Sequence, residues 1–288
     1  PEDPRLHGNA NLAVRMFRVA GQRIMMGRGQ MSAEVWFWRF AGDIAVPAAA
    51  WFPAGGKRRN PWPATRPDGA CVWSDADGDG RLDAEEFRSV PAAWFNGQSA
   101  HVDPALGLWC TAGAWDVGTG AIQHIPCVGL NVHGAPTWDP AAAASRPIPA
   151  AGGLQRVAKL AYDPAGDRLF VGGWTDRHPW KGGGWEQMNT GPELLRFDRW
   201  STGPELAWQR VIIPPEGLHG GVPKAWSFER DHAFIASTWR REQLAVDVWR
   251  LDDGTRIGRL LPTPCIGGVT GWIDMNDAVQ SQIGRAHV

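Results

Sequence analysis

Lys159-Leu-Ala-Tyr-Asp-Pro-Ala-Gly-Asp-Arg-Leu-Phe-Val-Gly172 decides the fold. Two short runs of strand-forming residues, Lys159–Asp163 and Arg168–Gly172, are joined by Asp163-Pro-Ala-Gly166, a tight-turn signal. Two more runs follow, Glu193-Leu-Leu-Arg-Phe-Asp198 and the stretch from Leu206 to Ile213. The same order of four strands with turns between them recurs on both sides. Downstream it reads Lys224–Phe228, His232–Ala236, Leu244–Leu251 and Ile257–Leu261, with Asp253-Gly254 as a turn. Upstream it reads Leu12–Phe17, Gln22–Met26, Glu34–Phe40 and Ile44–Phe52. A fourth, irregular block spans roughly residues 70–150, with strands near Ala100-His-Val102 and Ala121–Ile125. Repeated four-strand units predict an all-β chain of the β-propeller class, with about four visible blades. Val35-Trp-Phe-Trp-Arg-Phe40 is apolar on both faces, as expected of a strand whose sheet is covered on both sides. A pair of β-sandwiches is the competing fold, but its strands should alternate more cleanly and lack the repeated grammar.

Inside the irregular block lies Asp75-Ala-Asp-Gly-Asp-Gly-Arg-Leu-Asp-Ala-Glu-Glu86. It fits a twelve-residue EF-hand calcium loop at each diagnostic position. Asp75, Asp77 and Asp79 stand at positions 1, 3 and 5, and Gly80 at the sharp turn of position 6. Arg81 offers its carbonyl at position 7, Asp83 stands at position 9, and Glu86 closes the set at position 12. Calcium is a hard cation that takes six to eight oxygens, and this spacing supplies them. A solvated acidic loop is the plain alternative, but carboxylates this close repel one another without a cation. The approach, Pro67–Ser74, is β-like. The exit, Ala84–Val90, is predicted to make about two helical turns before Pro91, one short helix between blades. With one flanking helix missing, the ion is expected to staple structure rather than to switch it.

The chain has 288 residues and a formal net charge of −1, which gives no pointer to nucleic acid. No apolar run approaches the ~18 residues of a spanning helix, so no membrane span is expected. The 36 Gly and 23 Pro suit a turn-rich β protein. The 18 Trp against one Tyr are expected mostly to pack between sheets. Four Cys, at 71, 110, 127 and 265, form no CxxC pair, which argues against zinc. Cys110 and Cys127 flank a hairpin-like segment, and their pairing stays open. The chain starts at Pro1 inside an apolar pattern. Its last residues, Ile283–Val288, read like one frame of a common sequencing adapter. Residues 1–282 are therefore expected to be a propeller fragment with the loop at 70–91 inserted, and 283–288 a non-native tail.

The strand pattern Leu160–Val171 resembles the NHL-type and related bacterial propellers. With a Trp73-Ser-Asp-Ala-Asp-Gly-Asp-Gly80 calcium loop set between blades, residues 12–282 resemble large, mostly uncharacterised secreted bacterial propeller proteins. The resemblance implies an exported, secreted or periplasmic propeller with bound calcium, and it transfers no catalytic residue.

A second candidate site lies in Gly172–Gly191, the longest gap between paired strands. Trp174, His178, Trp180 and Trp185, with Asp176, Arg177 and Glu186, supply aromatic faces, carboxylates and donors of the kind that bind a sugar. The bland alternative is that these Trp fold back and pack. His219, in Glu216–Gly221, is a lone histidine. No HExxH, GxSxG or phosphate loop is present. The leading functional reading is a calcium-binding extracellular or periplasmic binding module for a glycan or surface protein. The alternative is a propeller enzyme, of lactonase, lyase or quinone-dependent dehydrogenase type, with its site at the central funnel. A third is a structural blade set in a larger secreted protein. A local loop that closes its own coordination sphere leaves little room for substrate, which favours the binding reading over the enzyme.

Overall fold

A computed structural model describes residues 11–29, 34–54, 62–91, 93–94, 100–112, 121–180, 190–212, 222–238 and 244–260. The described residues are all-β, and their four larger sheets are β-propeller blades. Two compact units divide the chain, residues 1–148 and 149–288. Among the described residues no helix is long and apolar enough to cross a membrane.

In the first unit, β1 (Asn11–Val19), β2 (Gln22–Gly29), β3 (Val35–Ala41) and β4 (Ile44–Phe52) form an antiparallel meander. The meander continues through β5 (Cys71–Ser74) and β6 (Phe87–Ser89) into one six-stranded sheet. The period-2 alternation of β3 explains why four successive apolar residues are needed. Val35 and Phe37 face a core shared with Val102, Leu106, Leu108, Ile125 and Trp138. Trp36 and Trp38 face the opposite way, onto Phe52, Trp73 and Leu82. All four are buried, so the sheet has no solvent face there.

The irregular block contributes β7 (Ala93–Trp94), β8 (His101–Val102), β9 (Leu108–Ala112), β10 (Ala121–Ile125) and β13 (Ala144–Pro147) as a five-stranded sheet. A separate hairpin, β11 (Cys127–Leu130) with β12 (Pro136–Trp138), stands beside it. Cys110 and Cys127 are both thiols rather than a disulfide. Cys110 Sγ faces Gln123 Oε1, and burial pushes its thiol pKa far up.

The second unit holds two four-stranded meanders. One is β14 (Leu154–Asp163), β15 (Arg168–Thr175), β16 (Glu193–Asp198) and β17 (Glu205–Val211). The other is β18 (Val222–Glu229), β19 (His232–Thr238), β20 (Leu244–Arg250) and β21 (Arg256–Leu260). Phe170, Leu194 and Trp208 of the first meander share a core with Trp226, Ile235 and Trp249 of the second.

The expected exit helix is corrected. Only Ala84–Glu86 turns, as a single 3-10 turn, and Phe87–Ser89 is strand. Trp73 pairs with Phe87, Val72 with Arg88 and Cys71 with Ser89, so the acidic loop closes a β-hairpin. The loop therefore extends the first blade at its β4 edge instead of lying between blades.

Candidate metal site

The loop hangs from a rigid frame. β5 is held by β4 on one side and β6 on the other. Asp75 N donates to Ala48 O at 2.9 Å, and Thr65 Oγ1 donates to Leu82 O at 2.7 Å. Leu82 is buried in the Trp36–Trp73 core, so the middle of the loop is nailed down by an apolar side chain. Arg66, on the same approach segment, lies over the Phe52 ring at 4.7 Å and 3.8 Å from Glu34.

Within this frame the acidic residues take turn roles that gather their carboxylates. Asp75 Oδ1 accepts from Gly78 N at 2.9 Å, Asp77 Oδ1 from Asp79 N at 3.1 Å, and Asp79 Oδ1 from Arg81 N at 2.7 Å. Each side chain thus bonds its own backbone two or three residues on, which winds the loop around its acidic groups. Gly78 and Gly80 have φ +85° and +74°, the left-handed region that glycine enters at no steric cost. Gly80 is also a close approach, because a β-carbon there would lie 3.0 Å from Val46 Cγ1.

Two overlapping triads result: Asp75, Asp77 and Glu86, then Asp77, Asp79 and Asp83. In each, one oxygen per residue lies within 4.8 Å of the others. Such a cluster can hold a metal ion. Asp75 is buried and Glu86 half-buried, whereas Asp77 and Asp79 are exposed, so one side is walled and the other open to solvent. Glu86 Oε1 accepts from Ala76 N at 2.6 Å, and Oε2 from Trp73 Nε1 at 2.7 Å.

Electrostatics match a site that wants a cation. Burial pushes the Glu86 carboxyl up, the hydrogen bonds from Ala76 and Trp73 oppose this, and the charge of Asp75 adds to it. Desolvation, then the charges of Asp79, Glu85 and Asp77, push Asp83 up. A divalent ion would reverse both pressures.

The sequence reading missed two contributors from outside the twelve residues. Arg39 Nη2, on β3, donates to Gly78 O at 2.6 Å and lies 3.4 Å from Asp75 Oδ2. Asn131 Nδ2, between β11 and β12, donates to Asp75 O at 2.8 Å. They are 36 and 56 residues from Asp75, and no local pattern announces them.

The second expected set is only partly assembled. Trp174 is buried on β15, and Trp180 meets it edge-on with ring centroids 4.6 Å apart. The Arg156 guanidinium lies 4.0 Å from the Trp180 ring centre. His178 turns its Nδ1 to Glu193 Oε1 at 2.7 Å. Glu193 is fully buried and also accepts from Thr175 Oγ1 and Gln209 Nε2. Burial pushes the Glu193 carboxyl up, but these hydrogen bonds outweigh it, and the net shift is downward. No sequence motif marks this hub. Trp185, Glu186, His219, Cys265 and residues 283–288 lie outside the described residues.

No family model matches the chain, and no curated protein is similar to it. Solved structures are similar at low level. A nidogen/laminin complex aligns at 9% identity, covering 90% of this chain and 82% of that one, with a TM-score of 0.40. A putative 6-phosphogluconolactonase from Bacteroides uniformis aligns at 12% identity, 83% and 68% coverage, with a TM-score of 0.41. The SapL1 lectin, solved with alpha methyl fucoside, aligns at 9% identity, 89% and 81% coverage, with a TM-score of 0.35. Likenesses this distant carry no functional information.

Proposed function

We propose that the chain is a calcium-stabilised β-propeller that works outside the cytoplasm, secreted or periplasmic, as a binding module for a glycan or a surface protein. One observation carries the reading: five carboxylates at EF-hand spacing, wound by their own turn hydrogen bonds into two overlapping triads. The donors are all oxygen, from Asp75, Asp77, Asp79, Asp83 and Glu86 with the Arg81 carbonyl, and that set favours a hard cation. Calcium tolerates irregular geometry and seven or so ligands, which suits one buried and several exposed carboxylates better than the strict octahedron of magnesium.

The ion is structural on this reading. Its loop joins two strands locked in one sheet, so its binding energy goes into ordering the loop. The ligand would be met by the segment carrying Trp174, His178, Trp180 and Trp185. There Trp180 is half-buried and His178 about a third exposed, which leaves aromatic and polar edges at the surface.

Terbium titration tests the metal. Trp73 donates to Glu86, so it stands beside the ion and should sensitise terbium luminescence. Calcium displacing terbium at about 10⁻⁴ to 10⁻³ M would fit an extracellular structural site. No sensitised binding, or sub-micromolar calcium affinity, would sink the reading. A glycan screen in calcium buffer, repeated with Trp180→Ala, then tests the ligand half. Lost stability with no binding phenotype would assign Trp180 to packing.

A further inference from the structure

The hairpin of β11 and β12 grips the loop at three successive points. Ser74 Oγ donates to Pro136 O at 2.8 Å. Asn131 Nδ2 donates to Asp75 O at 2.8 Å. The His133 ring covers Gly78 so closely that a β-carbon there would fall 2.6 Å from Nδ1.

Asn131 is the centre of this grip. Its Oδ1 accepts from His133 N at 3.0 Å and Ala135 N at 2.9 Å, which closes the hairpin tip. Its backbone N donates to Ala135 O, and its O accepts from Gly134 N, both at 2.9 Å. The acceptor of its side-chain N–H, Asp75 O, belongs to the peptide group that joins Asp75 to Ala76. The N–H at the other end of that peptide donates to Glu86 Oε1 at 2.6 Å. A peptide is planar, so tethering its oxygen also aims its N–H. One rigid unit therefore runs from the Asn131 carboxamide to the carboxylate that closes the loop.

We propose that Asn131 is a positioning residue of the metal site, and that metal occupancy and the order of the hairpin Cys127–Trp138 are coupled through it. The inference rests on the metal reading of the loop. Without the tether, the 75–76 peptide is free to rotate, and Glu86 loses the donor that holds it in its closing pose. Outer-sphere partners of this kind are worth about 10- to 100-fold in metal affinity. Coupling is reciprocal, so a metal that orders Glu86 must also order the hairpin tip.

The test uses the full chain, terbium and calcium, and two variants. Asn131→Ala removes both the tether and the tip closure. Asn131→Asp keeps the acceptor that closes the tip but replaces the donor to Asp75 O with a charged carboxylate oxygen. Terbium affinity is expected to weaken about tenfold or more in both, even though the carboxylate introduced by Asn131→Asp adds a negative charge near the ion. Deuterium uptake of residues 127–138 is expected to slow on adding calcium to the wild type and to be indifferent to calcium in the variants. A merely structural Asn131 would lower stability in chelator and leave the affinity ratio unchanged. Wild-type binding with undiminished affinity in Asn131→Ala overturns the inference and leaves the metal site standing. No terbium binding by the wild type overturns the metal reading itself.

Discussion

Glu86→Gln separates the metal's contribution from that of the protein's own hydrogen bonds. With a dissociation constant of about 10⁻⁴ M, 10 mM calcium is about 100-fold in excess and stabilises the folded state by about 2.7 kcal/mol. For a unit of roughly this size each kcal/mol moves the melting temperature by about 2–4 °C. The wild type should therefore melt about 5–11 °C higher in calcium than in chelator. The substituted carboxamide retains one acceptor oxygen but loses the charge and presents an N–H₂ to the second donor. The donors it must satisfy are Ala76 N, on an exposed residue, and Trp73 Nε1, on a fully buried one, and whichever takes the oxygen, the other faces the amide N–H₂. One unsatisfied donor costs about 1–3 kcal/mol. Relief of repulsion from Asp75 and Asp77 offsets part of that. In chelator the variant should melt a few degrees below wild type. In calcium the gap should widen by nearly the whole ion increment. Differential scanning calorimetry with and without calcium reads both. A variant that keeps the wild-type calcium increment would refute the assignment of Glu86 as the closing ligand.

Two more perturbations report on the second unit. Gly191 has φ +72°, and a β-carbon there would lie 2.5 Å from Gly173 Cα, so Gly191→Ala meets backbone that cannot yield. A loss of about 2–4 kcal/mol is expected in urea denaturation, and an unchanged midpoint would mean that the chain approaches differently there. Glu193 titrates below its ordinary 4.5, so its stabilisation is fully present above that pH and is lost as pH falls through the lower folded value. Denaturation between about pH 3 and 6 should show this loss in the wild type and a flatter profile in Glu193→Gln; parallel profiles would assign the acid sensitivity elsewhere.

Legibility in the sequence followed the length of the local signal. β4 and β16 begin and end where the sequence places them, because Ile44–Phe52 and Glu193–Asp198 are bounded by turns and rich in strand formers. The turns after Asp163 and Asp253 were equally plain. The exit of the acidic loop was misread for a physical reason. Ala84-Glu-Glu-Phe-Arg favours helix, but Cys71–Ser74 offers a strand edge at hairpin distance, and pairing of Phe87 with Trp73 outweighs local propensity. In the 93–147 block the sequence placed β8 and β10, but its other strands are two to five residues long, too short for a period to show. The clustering of the acidic groups was legible because their carboxylate spacing is written in twelve consecutive residues. Arg39, Asn131 and the Glu193 hub were not, because each acts across a fold that only the sheet pairing brings together.

Arg39 gives the loop a property that its own twelve residues do not have. The guanidinium lies 3.4 Å from Asp75 Oδ2 and is largely buried, with Asp75 fully so. An ion bonded to that oxygen at about 2.4 Å sits within about 6 Å of a fixed positive charge. Even at the dielectric of bulk water, a divalent and a monovalent cation at that distance repel by about 1.4 kcal/mol, or about tenfold in affinity. The strands on either side of the loop belong to one sheet and cannot swing apart, so this repulsion cannot be relieved by a change of interhelical angle as in a sensor. On the proposed calcium reading it shows as weaker binding, as a site for an extracellular ion concentration requires. Arg39→Gln keeps a donor for Gly78 O and removes the charge. Calcium affinity should then tighten about tenfold, with the difference shrinking little in salt because the pair is sheltered. Weaker binding in Arg39→Gln would mean instead that the guanidinium acts mainly as a brace on Gly78.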